Sequence, residues 1–198
     1  MAAREPGTSY ERIVDAAEDC FARFGVAKTT IEDVALAAGM SRATLYRNFD
    51  GGRDELILAV FLRDITRFFD QNRFGSDVPE AVVDGIIDAV EFIRNEPRIA
   101  GLIAPEAVGH TQTVVNQAAE RVLSLCADRI RPYFSLAQEA GLLREGIEVE
   151  GAVEYLFRII ASLSLSPLRR TDEETKAFLR AYVLPSLIPL TDSSRRAR

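Results

Sequence analysis

The sequence predicts an all-α protein of about nine helices. Two observations carry this. Apolar residues recur at helical spacing between Gly, Pro and capping residues, and no stretch shows the period-2 alternation with hairpin turns that strands require. A third observation sets the organisation. Residues 28–49, KTTIEDVALAAGMSRATLYRNF, read as two short capped helices about a glycine turn, the pattern of a helix-turn-helix. The second helix of such a unit enters the DNA major groove. The predicted division is an N-terminal arm with a helix-turn-helix domain over 1–52, a helical body over 53–190 and a disordered tail over 191–198.

Taken in order, residues 1–9 (MAAREPGTS) are small and polar with a Pro6-Gly7 break, so they predict a mobile arm. The first helix spans about Tyr10–Phe24, with the stripe Ile13, Ala17, Cys20, Phe21 and Phe24 and a stop at Gly25. Thr30 and Asp33 form a capping box for the second helix, with Asp in place of Glu or Gln, and Ile31, Val34, Ala35 and Ala38 face inward. Gly39 suits a left-handed cap, Met40 plugs the turn, and Ser41 caps the third helix. There Leu45 and Phe49 point inward, leaving Arg42, Ala43, Thr44, Tyr46 and Arg47 outside.

After the Asp50-Gly51-Gly52 loop, a long helix runs from about Arg53 to Phe74, with Asp54 and Glu55 favoured at its start. Helices follow over about Pro79–Arg94, a short piece near Arg98–Ala104, and about Thr111–Ala140 with a kink at Pro132. The last two run over about Val149–Leu165 and from Thr171-Asp172-Glu173-Glu174 to about Leu184, before Pro185 and Pro189.

Composition narrows the function. The longest apolar run, Leu56–Leu62, is far short of the roughly 18 residues of a membrane span, and MAAREPGTSYER lacks a signal-peptide core. A cytoplasmic protein with no membrane partner is expected. Net charge is −6, against indiscriminate nucleic-acid coating, but Arg42–Arg53 holds three arginines and one acid. A small basic face on an acidic body suits a specific, salt-sensitive binder. Cys20 and Cys126 read as small core side chains, not a disulfide. With one histidine, His110, and no C-x-x-C pair, no metal site or cofactor is expected. Neither a phosphate-cradling glycine loop nor a nucleophile motif is present, so the chain does not read as an enzyme. The rival reading is a helical interaction module whose DNA face is vestigial.

The segment Ile13–Leu56 resembles the N-terminal domain of the TetR-type bacterial transcriptional regulators. It keeps their order, IVDAAEDCFARFG, TTIEDVALAAGMS and RATLYRNFDGGRDEL, with the Gly-x-Ser-x-x-Thr-Leu-Tyr-x-x-Phe spacing from Gly39 to Phe49. The resemblance implies a DNA-binding set of Thr30, Glu32, Ser41, Arg42, Ala43, Thr44, Tyr46, Arg47 and Arg53. Thr30 and Thr44 take phosphates, Tyr46 lies against backbone or a thymine methyl, and Arg42 is placed for guanine O6 and N7. Arg47 reaches a base or a phosphate, and Glu32 a cytosine amino group or solvent. Many relatives carry a phosphate-clamping lysine just after the aromatic corresponding to Phe49. Here the loop is one residue longer and lacks it, and Arg53 stands in its place.

The same resemblance implies a ligand-responsive regulator, most often a repressor, acting as a homodimer on a near-palindromic double-stranded operator and released by a hydrophobic small-molecule effector. The helices near 149–166 and 171–185 would pair with their mates through Val153, Leu156, Phe157, Ile160, Phe178, Leu179 and Tyr182. An effector pocket would draw on Phe61, Phe68, Phe92, Leu102, His110, Gln117, Tyr133 and Phe157. The helix starting near Arg53 would link the recognition helix to the pocket wall.

Overall fold

The structure, a computed structural model, describes residues 8–72, 75, 77–95, 112–166 and 170–189. Among these residues every regular element is helical. The chain divides into two compact units, one built on the chain through Phe68, the other on Phe69–Asn95 and the residues from Ala119 onward.

In the first unit, α1 spans Ser9–Phe24 and opens with a capping box between Thr8 and Glu11. Thr8 and Ser9, expected in the arm, therefore belong to the cap and first turn of this helix. Ile13, Ala17, Cys20 and Phe21 are buried as their spacing predicts. Phe24 departs from the stripe: in the terminal turn it remains 46% exposed, with the Arg23 guanidinium 5.2 Å over its ring. Gly25, at φ 81°, ends the helix and donates its N–H to the Phe21 carbonyl. A 3-10 turn, Val26–Lys28, leads to buried Thr29, whose hydroxyl donates to the Cys20 and Gly25 carbonyls.

Helix α2 spans Ile31–Ala37 and α3 spans Arg42–Asn48. Between them Gly39 sits at φ 64°, and Met40 donates its N–H to the Ala35 carbonyl at 2.9 Å. Helix α4, Gly52–Gln71, adds Leu56, Ile57, Ala59 and Val60 to the core of α1–α3, and all of these form one buried cluster. A charged seam ties α4 to α1. Arg63 donates to Asp15 at 2.5 Å, to the Val14 carbonyl at 3.0 Å and to Glu18, and Arg67 reaches Glu18 at 2.5 Å.

The second unit holds α5, Val78–Asn95, the residues from Ala119 of α6, Gln112–Glu139, then α7, Val149–Leu165, and α8, Asp172–Phe178. Helix α6 continues through Pro132. Val83, Ile86, Ile87 and Val90 of α5 pack with Leu179, Val183 and Leu184, and half-buried side chains of α7 lie against them. A smaller cluster joins Ala127 to Val149 and Val153. Across the surface of this unit Arg180 forks onto Glu80 at 3.0 and 2.6 Å, which holds the Glu80 carboxyl below its ordinary value.

The C-terminal helix differs from the single helix expected over Thr171–Leu184. After the Thr171–Glu174 capping box and α8, the backbone widens into a π-helical stretch, Leu179–Val183, and closes with α9, Leu184–Leu187. Pro185 explains the change. Its ring would collide with the carbonyl four residues earlier in a regular α-helix, and a widened turn relieves the clash. The expected short helix near 98–104, the arm before Thr8 and the tail 191–198 lie outside the described residues.

Candidate nucleic-acid interface

The recognition surface is built outward from two side chains with no exposure at all, Leu45 and Phe49. They are four apart, so one face of α3 is fixed against the core and the residues between them must point out. The ring of Tyr10 stacks on Phe49 with centroids 4.9 Å apart, covering the exit of α3. Arg12 of α1 donates to the Ala38 carbonyl at 3.1 Å, which ties the end of α2 to α1. On this frame Arg42, Ala43, Tyr46 and Arg47 are all exposed. Thr44, expected on the same face, is instead half-buried.

The capping groups hold the two helices in place. Ser41 Oγ accepts the Thr44 N–H at 3.1 Å and lies 3.0 Å from the Thr44 hydroxyl. Thr30 donates both its N–H and its hydroxyl to Asp33, at 2.9 and 2.7 Å, and accepts the Asp33 N–H in return. These bonds to Thr30 lower the Asp33 carboxyl below its usual range. The hydroxyls that the resemblance assigns to phosphates are thus already engaged in the helix caps.

Two further residues stand in unanticipated arrangements. Glu32, in the first turn of α2, pairs with Arg42 at 2.7 Å, and both side chains are more than half exposed. Arg53 turns inward, donating from Nε to the Thr29 carbonyl at 3.0 Å and from Nη2 to the Val26 carbonyl at 2.5 Å. Its guanidinium braces the α1–α2 connection, and this geometry does not present it as a substitute for a phosphate-clamping lysine. Sequence spacing offers no signal for either pairing, because each crosses between elements whose relative orientation only the fold supplies.

Gly52 is a residue whose role the sequence reading missed. At φ 65°, a Cβ placed there would stand 3.3 Å from Cε1 of the Tyr46 ring. The second glycine of the longer loop therefore leaves room for the tyrosine, and the double glycine itself was the available signal.

The residues expected at a dimer contact divide by burial. Val153 and Leu179 fill the interior of their own unit, so they are closed to a second copy. Leu156, Phe157, Ile160 and Phe178 are half-buried, and Tyr182 is 72% exposed. Of the expected pocket residues, Phe61, Phe68, Phe92 and Phe157 are half-buried and Tyr133 is exposed. Leu102, His110 and the side chain of Gln117 lie outside the described residues. A shallow depression at the end of α1, lined by Arg23, Phe24, Lys28 and Asp33, involves none of them. No helix among the described residues is long and apolar enough to cross a membrane.

Comparison with known proteins agrees with this geometry. Residues 13–60 match the family model described as "Bacterial regulatory proteins, tetR family". An uncharacterized HTH-type transcriptional regulator of Mycobacterium tuberculosis is 27% identical over 100% of this chain and 94% of its own length. The HTH-type transcriptional regulator SrpR of Pseudomonas putida is 24% identical over 88% of this chain and 82% of its own. In fold, the chain is similar to GusR of Salmonella enterica, with a TM-score of 0.64 at 24% identity, covering 93% of this chain and 97% of that one. It is also similar to the regulator FadR of Bacillus subtilis, with a TM-score of 0.57 at 18% identity, covering 91% and 98%. The Mycobacterium tuberculosis and Pseudomonas putida relatives are named as transcriptional regulators, and the helix-turn-helix described above lies within the matched segment. The match to the tetR family of bacterial regulatory proteins covers residues 13–60, and over its full length the chain is similar to HTH-type transcriptional regulators.

Proposed function

We propose that this regulator is a ligand-responsive repressor that binds a near-palindromic operator as a homodimer and leaves it when a hydrophobic small molecule binds. The observation that carries the DNA half is the exposed row Arg42, Ala43, Tyr46 and Arg47 on a helix anchored by Leu45 and Phe49. Arg42 reads a guanine edge, Tyr46 packs on backbone or a thymine methyl, and Arg47 reaches a base or a phosphate. Thr44 and Thr30 contribute mainly by holding the helices that carry these groups.

One such helix buries too little surface for tight specific binding, so two copies reading two half-sites are required. The surface of α7 and of the π-helical stretch after α8 supports the pairing, through Phe157, Ile160 and Tyr182. The effector half is supported by the apolar, half-buried rings of Phe92 and Phe157 in the second unit and by what is described for proteins of this fold. FadR of Bacillus subtilis is described in complex with stearoyl-CoA, and SmeT, the repressor of a Stenotrophomonas maltophilia efflux pump, in complex with triclosan. An effector releases the DNA only as far as it prefers the conformation whose recognition helices are wrongly spaced.

The test is selection of bound fragments from genomic DNA, followed by gel shifts with a panel of acyl thioesters and apolar drugs. The expected result is a palindromic fragment whose shift one class of compound abolishes. No enriched fragment at low ionic strength would overturn the DNA assignment, and a shift that every compound leaves intact would overturn the effector assignment.

A further inference from the structure

The geometry points to Glu32 as the positioning residue of the DNA-reading arginine: it holds Arg42 for base readout and keeps it off the phosphates. This rests on the proposed DNA-binding reading and goes beyond it, because Glu32, for which the resemblance implied a cytosine amino group or solvent, here acts through Arg42. The 2.7 Å pair joins the first turn of α2 to the first residue of α3, linking the two helices of the motif on their exposed side. Both side chains are more than half exposed, so the pair contributes little to stability. Its consequence lies in what Arg42 is free to do.

An unrestrained arginine at the end of a recognition helix has many phosphate oxygens within reach and few base edges. Phosphate contact raises affinity for every sequence alike. One carboxylate oxygen on Nη1 restricts that search, and the guanidinium keeps further N–H donors for guanine O6 and N7. Glu32 also adds a negative charge beside the bound duplex, which penalises loose, non-specific docking. Specificity then comes from repulsion of wrong sequences as well as attraction to the right one.

The experiment uses the full chain and a duplex that it selects from a random-sequence pool. Binding is measured against salt for that duplex, its single-base variants and an unrelated duplex. For Glu32→Gln, which keeps the shape and removes the charge, the salt slope on the unrelated duplex should steepen by about 0.9, one further phosphate neutralised. Discrimination at the base pair read by Arg42 should fall about tenfold, within the range set by one bidentate contact. Glu32→Asp, which keeps the charge, should restore most of both, an outcome that a purely structural role would not give.

If Glu32→Gln matches the wild type in slope and discrimination, the inference is overturned while the DNA reading stands. If it loses operator affinity with no change in slope, Glu32 is itself a base reader and the inference is again overturned. If the wild type selects no duplex at all, the DNA reading fails and the inference falls with it.

Discussion

The unit that carries the helix-turn-helix and the unit built from α5–α9 bury their apolar side chains in opposite styles. In the first, one continuous cluster runs from Ile13 to Val60, and Leu45 and Phe49 are fully enclosed. Among the described residues of the second, two smaller buried clusters form, and Tyr155, Leu156, Ile159, Ile160, Leu163 and Phe178 are partly covered. A closed core needs nothing else to be stable. A half-covered one retains apolar area that a second copy or a ligand can still remove from water.

The largest effect expected from breaking this contrast comes from the closed side. Phe49→Ala removes an enclosed ring and the stacking surface of Tyr10, and should cost about 3–5 kcal/mol, a large share of a domain's stability. Thermal denaturation followed by circular dichroism checks it. A loss below about 1 kcal/mol would show that the first core is not closed. On the open side, Tyr182→Glu should leave the fold intact and weaken self-association by at least about 2 kcal/mol, the scale of an interfacial tyrosine anchor. Sedimentation velocity across a concentration series measures this, and an unchanged dimer would move the interface elsewhere.

Arg42→Ala should reduce operator affinity by about 1–3 kcal/mol with the melting temperature unchanged, as gel shifts at fixed salt would record. Thr30→Ala removes a capping box and should cost about 1 kcal/mol of stability. The smallest effect, and the most direct probe of the contrast, uses the two thiols. Burial pushes Cys126 up to about 11 and also raises Cys20, so both should alkylate slowly in the native state. As denaturant is added, Cys126 in the half-covered unit should become reactive before Cys20. The reverse order would show that the second unit is the tighter of the two.

Much of the first unit was legible because its signals are local. Gly25, Gly39, the Thr30–Asp33 box and Ser41 each act within three or four residues, and the α1 stripe shows its helical period directly. The exposed row of α3 followed from the spacing of Leu45 and Phe49. What sequence could not show were pairs joined only by tertiary structure. Glu32 with Arg42 is one, Arg53 with the Val26 and Thr29 carbonyls another, and Arg63 with Asp15 and Glu18 a third. In the second unit the apolar stripes of α7 and α8 were visible, but not which members face their own core. Val153 and Leu179 read the same as Phe157 and Tyr182 until neighbouring helices cover one set.

The widened turn at Leu179–Val183 has a consequence for how the C-terminus can vary. A π turn takes in one residue more than an α turn, so everything after Val183 is displaced in phase by about 100° relative to an unbroken helix. Leu184 and Leu187, which follow it, are both buried. The segment should therefore accept exchanges of side chain at its exposed positions, such as Ala181, far better than any change in its length.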